Sequence, residues 1–453
     1  MTARSRSITS MFAMVAALVC STDSRADDTA APPTAAPFTA NDVVVDDGWT
    51  ESEAASAPQP SPPDPFASKL MGNLWGARNS AADCGVTSDV MFTQFYQGVA
   101  AGGLTDQFRY GAKGDYYVNV DGEKAGLWKG FFVQLHAESR LGNDVNTFTG
   151  ALSTSNTAML FPLPNQQLTA LTGVKFTQAL SENFVVYFGK LNLLDAYTNP
   201  FAAGRGIDQF MNLSLVLPPV FARTIPYAPL GAGFAVLAKG QPVFSFNVFD
   251  ADTPTTQSGF NTLFARGATL FTQATLPVSI ANRPGHQTLY GVYSSRSYAS
   301  LDPTNWGNPI QEPIVIPKTT GSWALHYSMD QYLYVDPCDP TRGWGMFAQA
   351  SISDGNPNPI RWFANAGIGG NSPIQRRSAD KFGVGYYFIG VSDQLKSLVA
   401  NAIPLRDDQG FEFYYNIAAF RGCYITPDIQ VCDPFRVNSD TSLVLGVRAK
   451  LDF

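Results

Sequence analysis

Hydrophobic and polar residues alternate along most of this chain. Between Ser442 and Phe453, Leu443, Leu445, Val447, Ala449, Leu451 and Phe453 share one parity. Ser442, Gly446, Arg448, Lys450 and Asp452 share the other, with Val444 the apolar exception. Successive side chains of a strand point to opposite faces, so this period of two predicts a strand with one apolar and one polar face. The pattern recurs upstream. Arg109, Lys113, Asp115 and Asn119 oppose Tyr110, Ala112, Tyr116 and Val118. Gln134, His136, Glu138 and Arg140 oppose Val133, Leu135 and Ala137, and Glu412, Tyr414 and Asn416 oppose Phe411, Phe413, Tyr415 and Ile417. One such segment fits any half-buried sheet; repetition along the whole chain narrows the choice.

Alternating segments begin near residues 90, 107, 129, 168, 183, 232, 242, 267, 288, 322, 343, 360, 381, 411, 423 and 441. An even set of strands of roughly ten residues is what a single-chain barrel of a bacterial outer membrane requires. With the C-terminus in the periplasm, the connections 142–167, 195–231, 250–266, 297–321 and 392–410 fall outside. Those at 181–182, 240–241 and 419–422 fall inside and are tight, while 278–287 and 370–380 are inside but longer. Long loops outside and short turns inside are the outer-membrane asymmetry. Backbone groups in hydrocarbon must be satisfied within the sheet, which therefore closes on itself. A ring of about sixteen strands then leaves an aqueous channel, not a packed core. The expected fold is thus all-β: a 16-stranded antiparallel transmembrane barrel over 90–453. A short helical segment precedes it over 66–89, with Phe66, Leu70 and Leu74 near one face. Tyr386, Tyr387 and Tyr414 are expected in interfacial girdles, as are Trp128, Trp306, Trp344 and Trp362, and Phe453 at the end of the closing strand.

The N-terminus places this barrel in an exported protein. Arg4 and Arg6 precede an apolar run from Met11 to Cys20, and Ser24-Arg25-Ala26 follows, which predicts a signal peptide over 1–26. Residues 27–65 are rich in Ala, Pro, Ser, Thr and Asp and read as a flexible leader. The net charge of −7 argues against nucleic acid as a partner. Four cysteines remain after cleavage, Cys84, Cys338, Cys423 and Cys432. An even count in an exported chain favours disulfides, with the pairing open. Neither a CxxC pair nor a histidine cluster supports a metal site, and no cofactor is expected. "AAGRGID" at 202–208 has glycines but lacks the strand-to-helix context of a phosphate loop.

Several stretches together resemble the carbohydrate-selective porin family of the glucose-porin type. They are "GWGMFAQASISDGNPNPI", "AGIGG", "KFGVGYYFIGVSDQL", "PLRDDQGFEFYYNIA" and "LVLGVRAKLDF", with "SWALHYSMDQYLYVDP", "FVVYFGKLNLLD", "LWKGFFVQLHAESRLG" and "LMGNLWGAR" further back. The "WGAR" stretch departs from the family's second glycine, and Cys338, Cys423 and Cys432 look peculiar to this chain. The resemblance implies passive passage of glucose-like sugars through a narrow charged and aromatic constriction, an outer-membrane lipid setting, and often a homotrimer.

A sugar offers hydroxyls in its ring plane and apolar faces above and below. A selective pore therefore needs paired charges for the hydroxyls and aromatics for the faces, weak enough to release. The connection 195–231 is the longest external loop and the natural constriction, carrying Asp195, Arg205, Asp208, Asn212 and Arg223. Facing it from the walls are expected Arg109, Lys113, Asp115, Glu138, Arg140, Lys190, Asn192 and Asp250. His136 reads as a hydrogen-bonding bystander among them. The competing readings are a general diffusion porin without sugar preference and, in another class, a plugged structural or enzymatic barrel.

Overall fold

A computed structural model describes residues 68–306 and 316–453. The expected signal peptide and leader, and Phe66 of the expected helix, lie outside the described residues. Among those described, sixteen antiparallel strands close into one barrel, each pairing with its chain neighbours and β1 with β16. The first eight are β1 Val86–Gly103, β2 Phe108–Asp121, β3 Phe131–Gly142, β4 Leu168–Ser181, β5 Phe184–Lys190, β6 Leu230–Ala238, β7 Gln241–Asp250 and β8 Ala268–Ile280. The second eight are β9 Arg283–Ala299, β10 Lys318–Asp336, β11 Asp339–Ser353, β12 Ile360–Asn371, β13 Lys381–Val391, β14 Asp408–Phe420, β15 Cys423–Asp433 and β16 Asp440–Asp452.

The polar parity points inward and the apolar parity outward, as alternation demands. On β16, Arg448 is buried inside while Val447 is 46% exposed on the outer face. Leu289, Leu325 and Ile352 are likewise exposed outside, whereas their neighbours Thr288, Ala324 and Ser351 are buried. The closing seam pairs Phe92 with Leu451 and Phe95 with Arg448, and the Phe453 N–H donates to the Val90 carbonyl at 2.9 Å.

Turn chemistry sets one rim. The β8–β9 link is only Ala281–Asn282, both left-handed with φ of 52° and 58°, the pairing that suits a two-residue hairpin. It is shorter than the expected 278–287, because Pro277 and Pro284, which weaken a strand reading, lie within paired strands. The expected N-terminal helix is also shorter. A helix forms over Ala77–Asp83, but Leu74 and Trp75 are left-handed and break it upstream. The stretch before β1 docks on this rim: Leu70 N–H donates to Asp452 O at 2.7 Å, Arg421 donates to Lys69 O at 2.6 Å, and Lys69 pairs with Asp89 at 2.7 Å. Cys338, Cys423 and Cys432 carry free thiols.

The girdle assignment needs a correction. Tyr386 is exposed outside and hydrogen-bonds Gln409 at 2.6 Å. Tyr387 and Tyr414 are instead buried within the barrel, Tyr414 edge-on to Phe210 at 4.9 Å. Trp128 and Trp362 are exposed outside.

Replacing Leu289, central in β9 on the outer face, by Arg should cost about 2–4 kcal/mol in bilayer folding. Urea titration of refolding into lipid vesicles measures this, and the buried inward Thr288→Ser should leave the midpoint nearly unchanged.

Candidate functional site

The β5–β6 connection, residues 191–229, does not stand out from the rim; it folds into the lumen and lines it. Its side chains and carbonyls meet inward-facing residues of many strands in turn. Phe201 packs edge-on against Tyr332 of β10, Phe210 against Phe347 of β11, and Phe221 against Phe271 of β8 and Tyr290 of β9. A Cβ at Gly345 of β11 would lie 2.6 Å from the Phe201 ring, so glycine there lets the loop seat flush on the wall. Polar clamps fix its backbone. Glu412 accepts from the N–H groups of Met211 and Asn212 at 2.6 and 2.8 Å. Arg448 donates to Gly206 O and Gln209 O at 3.0 and 2.8 Å. Asn365 donates to Ser214 O at 2.7 Å, Asn358 to Val220 O at 2.9 Å, and Thr269 to Thr224 O at 2.7 Å.

Arg205 sits at the tip of this loop, in a Gly-Arg-Gly turn. Gly204, Arg205 and Gly206 are all left-handed, with φ of 69°, 57° and 79°. A Cβ at Gly206 would meet Ala158 N at 2.8 Å, so both its φ and its space select glycine. The strained Arg205 is held by what it touches. Its guanidinium lies 2.8 Å from Asp115, 3.4 Å from Glu138 and 3.2 Å from Asp195, and stands 5.4 Å over the Tyr117 ring.

Those acids form one charge-balanced cluster on β2, β3 and the start of the loop. Register places Asp115 opposite Glu138, Lys113 opposite Arg140 and Tyr117 opposite His136. Lys113 pairs with Glu138 at 2.6 Å. Asn192 and Tyr227 add hydrogen bonds to Glu138 at 3.1 and 2.8 Å. His136 reaches Asp195 at 2.8 Å and Asp115 at 3.3 Å, and stacks on Tyr117 at 4.0 Å between centroids. Burial, reinforced by the Glu138 carboxylate, raises the Tyr227 phenol well above its ordinary range, so it remains a donor. Asp115, His136 and Glu138 could geometrically surround a cation. Arg205 and Lys113 already neutralise those carboxylates, so the donor set does not call for one. Of the charged groups in the cluster, Arg205 at 12% and Asp195 at 18% side-chain exposure stay partly open, while Lys113, Asp115, His136 and Glu138 are fully enclosed. Beyond Arg205, Asp208 forms an ion pair with Lys450 of β16 and is 41% exposed.

Of the residues expected at the pore, Lys113, Asp115, Glu138, Asn192, Asp195 and Arg205 come together, with Asp208 a few residues along the same loop. Others sit elsewhere. Arg140 is buried under the β3–β4 connection, donating to Met159 O at 2.6 Å and Gln166 O at 3.1 Å and pairing with Asp144. Arg109 lies at the long-loop rim, over the Phe148 ring at 5.2 Å. Lys190 and Asp250 are corrections: neither lines the lumen. Lys190 lies opposite Val174 and Leu230 on the outward parity and donates to Thr255 O and Gln257 O at 2.6 and 2.8 Å. Asp250 accepts from Thr253 at 2.6 Å and from Phe264 N–H at 2.8 Å, so both residues fasten the β7–β8 connection. His136, read as a bystander, is a hub of the cluster. Tyr117, Tyr227, Glu412, Arg448 and Lys450 were not singled out as site residues. Strand parity carried the signal for Tyr117, Glu412, Arg448 and Lys450, each of which alternates with outward apolar residues.

A family model described as the carbohydrate-selective porin, OprB family, matches residues 105–453. Among solved structures, the chain is similar to the high-pH structure of Pseudomonas putida OprB, with a TM-score of 0.74 at 19% identity over 85% of this chain and 99% of that one. The low-pH structure of Pseudomonas putida OprB gives a TM-score of 0.53 at 15% identity over 85% of this chain and 98% of that one. No curated protein matches the chain.

Glu412→Ala should strip the acceptors from two enclosed backbone N–H groups, each a loss of about 1–3 kcal/mol to local loop stability. Hydrogen exchange at Met211 and Asn212 should accelerate by at least an order of magnitude while the strand amides keep their protection.

Proposed function

This chain belongs to the carbohydrate-selective porins of the OprB family, and from that premise we propose that sugars pass at a constriction formed by Arg205 and its neighbours. The observation that carries this reading is the selective exposure within the cluster. A lumen charge that served stability alone would be enclosed with its partners, as Lys113 and Glu138 are. Arg205 and Asp195 keep part of their surface free, which offers a donor and an acceptor at one place. Hydrogen bonds to charged groups are worth about 1.5–3 kcal/mol each, enough to favour a sugar over a solute that cannot exchange them. Because the terminal guanidinium nitrogens of Arg205 and the Asp195 carboxylate already have partners within the protein, each hydroxyl contact to them competes with an existing one, and binding stays weak enough for release. The residues act by binding and orienting solute, and the protein works as a passive channel and not as a catalyst.

We also propose a homotrimer, with the β5–β6 wall at the contact between copies. β5 has seven residues and β6 nine. At about 3.3 Å per residue and a tilt of roughly 40°, seven residues rise about 18 Å along the membrane normal, short of the ~25 Å apolar band of such barrels. A neighbouring subunit would cover the deficit better than lipid. Running up to this wall, the rings of Phe131 of β3, Phe176 of β4 and Phe188 of β5 stack in succession on the outer face, at 6.5 and 5.2 Å between centroids.

Arg205→Ala should lower glucose flux in liposome swelling by roughly ten-fold, the value of one charge-assisted hydrogen bond, and shift ion selectivity towards cations in planar bilayers. Glucose entering no faster than amino acids of similar size, in wild type and variant alike, would reduce the protein to a general diffusion pore. For the assembly, cysteine placed at Phe188 should give intersubunit cross-links in native membranes. Cross-links forming equally well from Leu325, on the outer face of the long β10, would argue against a contact confined to the short wall.

A further inference from the structure

We infer that a cavity at the extracellular rim, separate from the Arg205 cluster, is a docking site for a single hexose ring before it enters the lumen. It rests on the reading of the protein as a sugar channel, and adds a second binding site to it.

The cavity has a volume of about 260 Å³ and lies between the β3–β4 connection, residues 143–167, and Phe435–Arg436 of the β15–β16 connection. At about 30 Å³ per water it would hold on the order of eight or nine waters, a space that suits one sugar ring and not an oligosaccharide. Its lining supplies the two kinds of surface that a sugar needs. Phe435 offers a ring, and Leu152 and Pro164 extend the apolar part. The polar part comes from Asp144, Thr154 and Arg436.

One of these polar groups is unspent. The Arg436 guanidinium makes no ion pair with any described residue; its one recorded side-chain contact is with the adjacent Phe435 ring at 5.9 Å. A guanidinium next to an aromatic ring presents donors to hydroxyl oxygens while the ring covers an apolar face. Asp144, by contrast, is already neutralised by Arg140 and accepts from Asn146 N–H at 3.0 Å. That leaves the pocket without the excess negative charge that would suit a metal ion.

Its position gives the cavity a use. Arg140, which pairs with Asp144 in the lining, lies opposite Lys113 in the β2–β3 register. Lys113 in turn pairs with Glu138, a partner of Arg205. The cavity therefore lies outward of the constriction cluster along the same two strands, on the side from which an entering solute arrives.

The experiment uses the full chain purified in detergent, with D-glucose and inorganic phosphate as separate probes. Saturation-transfer NMR should show glucose binding that persists in Arg205→Ala and weakens by roughly ten-fold in Arg436→Gln, with Phe435→Ala also weakening it. In planar bilayers, the glucose association rate measured from the extracellular side should fall in Arg436→Gln, with the change confined to that side. Heat-modifiable migration on gels checks that each variant is folded. Unchanged glucose affinity in both rim variants would overturn the inference, as would equal losses from the two sides. Binding of phosphate in place of glucose would overturn it too, marking an anion site. A wild-type protein that fails to discriminate glucose in liposome swelling, yet binds it at the rim by NMR, would break the sugar-channel reading and leave the docking site standing.

Discussion

A strand within hydrocarbon can send its amide and carbonyl groups only to another strand, because neither water nor lipid tails will accept them. Closure of the sheet follows from that requirement, and the remaining architecture follows from closure. Once β1 meets β16, each face of the ring has a single environment, and the period-two alternation sorts side chains between them. Residues on the inner face need not be apolar, since a ring this wide cannot be filled by wall side chains alone. The space is occupied instead by a connection between two strands of the wall, and that connection brings Arg205 against acids of β2 and β3.

The lumen-lining loop is held by a division of labour. Its apolar residues, Phe201, Phe210, Leu215 and Phe221, are buried against one arc of wall, supplying non-directional burial. Its polypeptide backbone is fixed by Glu412, Arg448, Asn365 and Asn358. Buried charges are costly without partners, and each of these has one on the loop. Arg205 is the exception in kind: a strained residue between two glycines whose side chain is shared among three carboxylates. Three acids around one guanidinium, with Lys113 and His136 behind them, fix the position of a charge that is still partly open to solvent.

Much of this was legible in sequence because strand signals are local. β4, β12, β13 and β15 start at the residues where alternation and turn composition place them, 168, 360, 381 and 423. What was not legible depended on the loop's path. Tyr387 and Tyr414 lie on the inward parity, yet aromatic residues near strand ends read as girdle; the loop that covers them from inside has no local signature. Lys190 was placed in the lumen by its charge, although it shares the parity of the outward Phe188 and the pairing runs unbroken between them. His136 was read as a bystander because its two acid partners, Asp115 and Asp195, are 21 and 59 residues away in sequence. The glycines at 204 and 206 carry no periodic signal, and the left-handed turn in which they hold Arg205 shows only in the folded loop.

The seam between β1 and β16 joins residues 337 to 361 positions apart, from Gly103 with Asp440 to Met91 with Asp452. Contacts of that separation cannot form until the intervening chain is in place, and long-range pairings of this kind fold slowly. Until they form, the nascent sheet carries two unpaired margins, each a template for association with a stranger. The stretch at Lys69–Leu70 bridges both sides of the seam, reaching Asp89 on one and Asp452 on the other. It acts as a clasp across the join, so the last step of assembly is sealed by the segment that leads into the first strand.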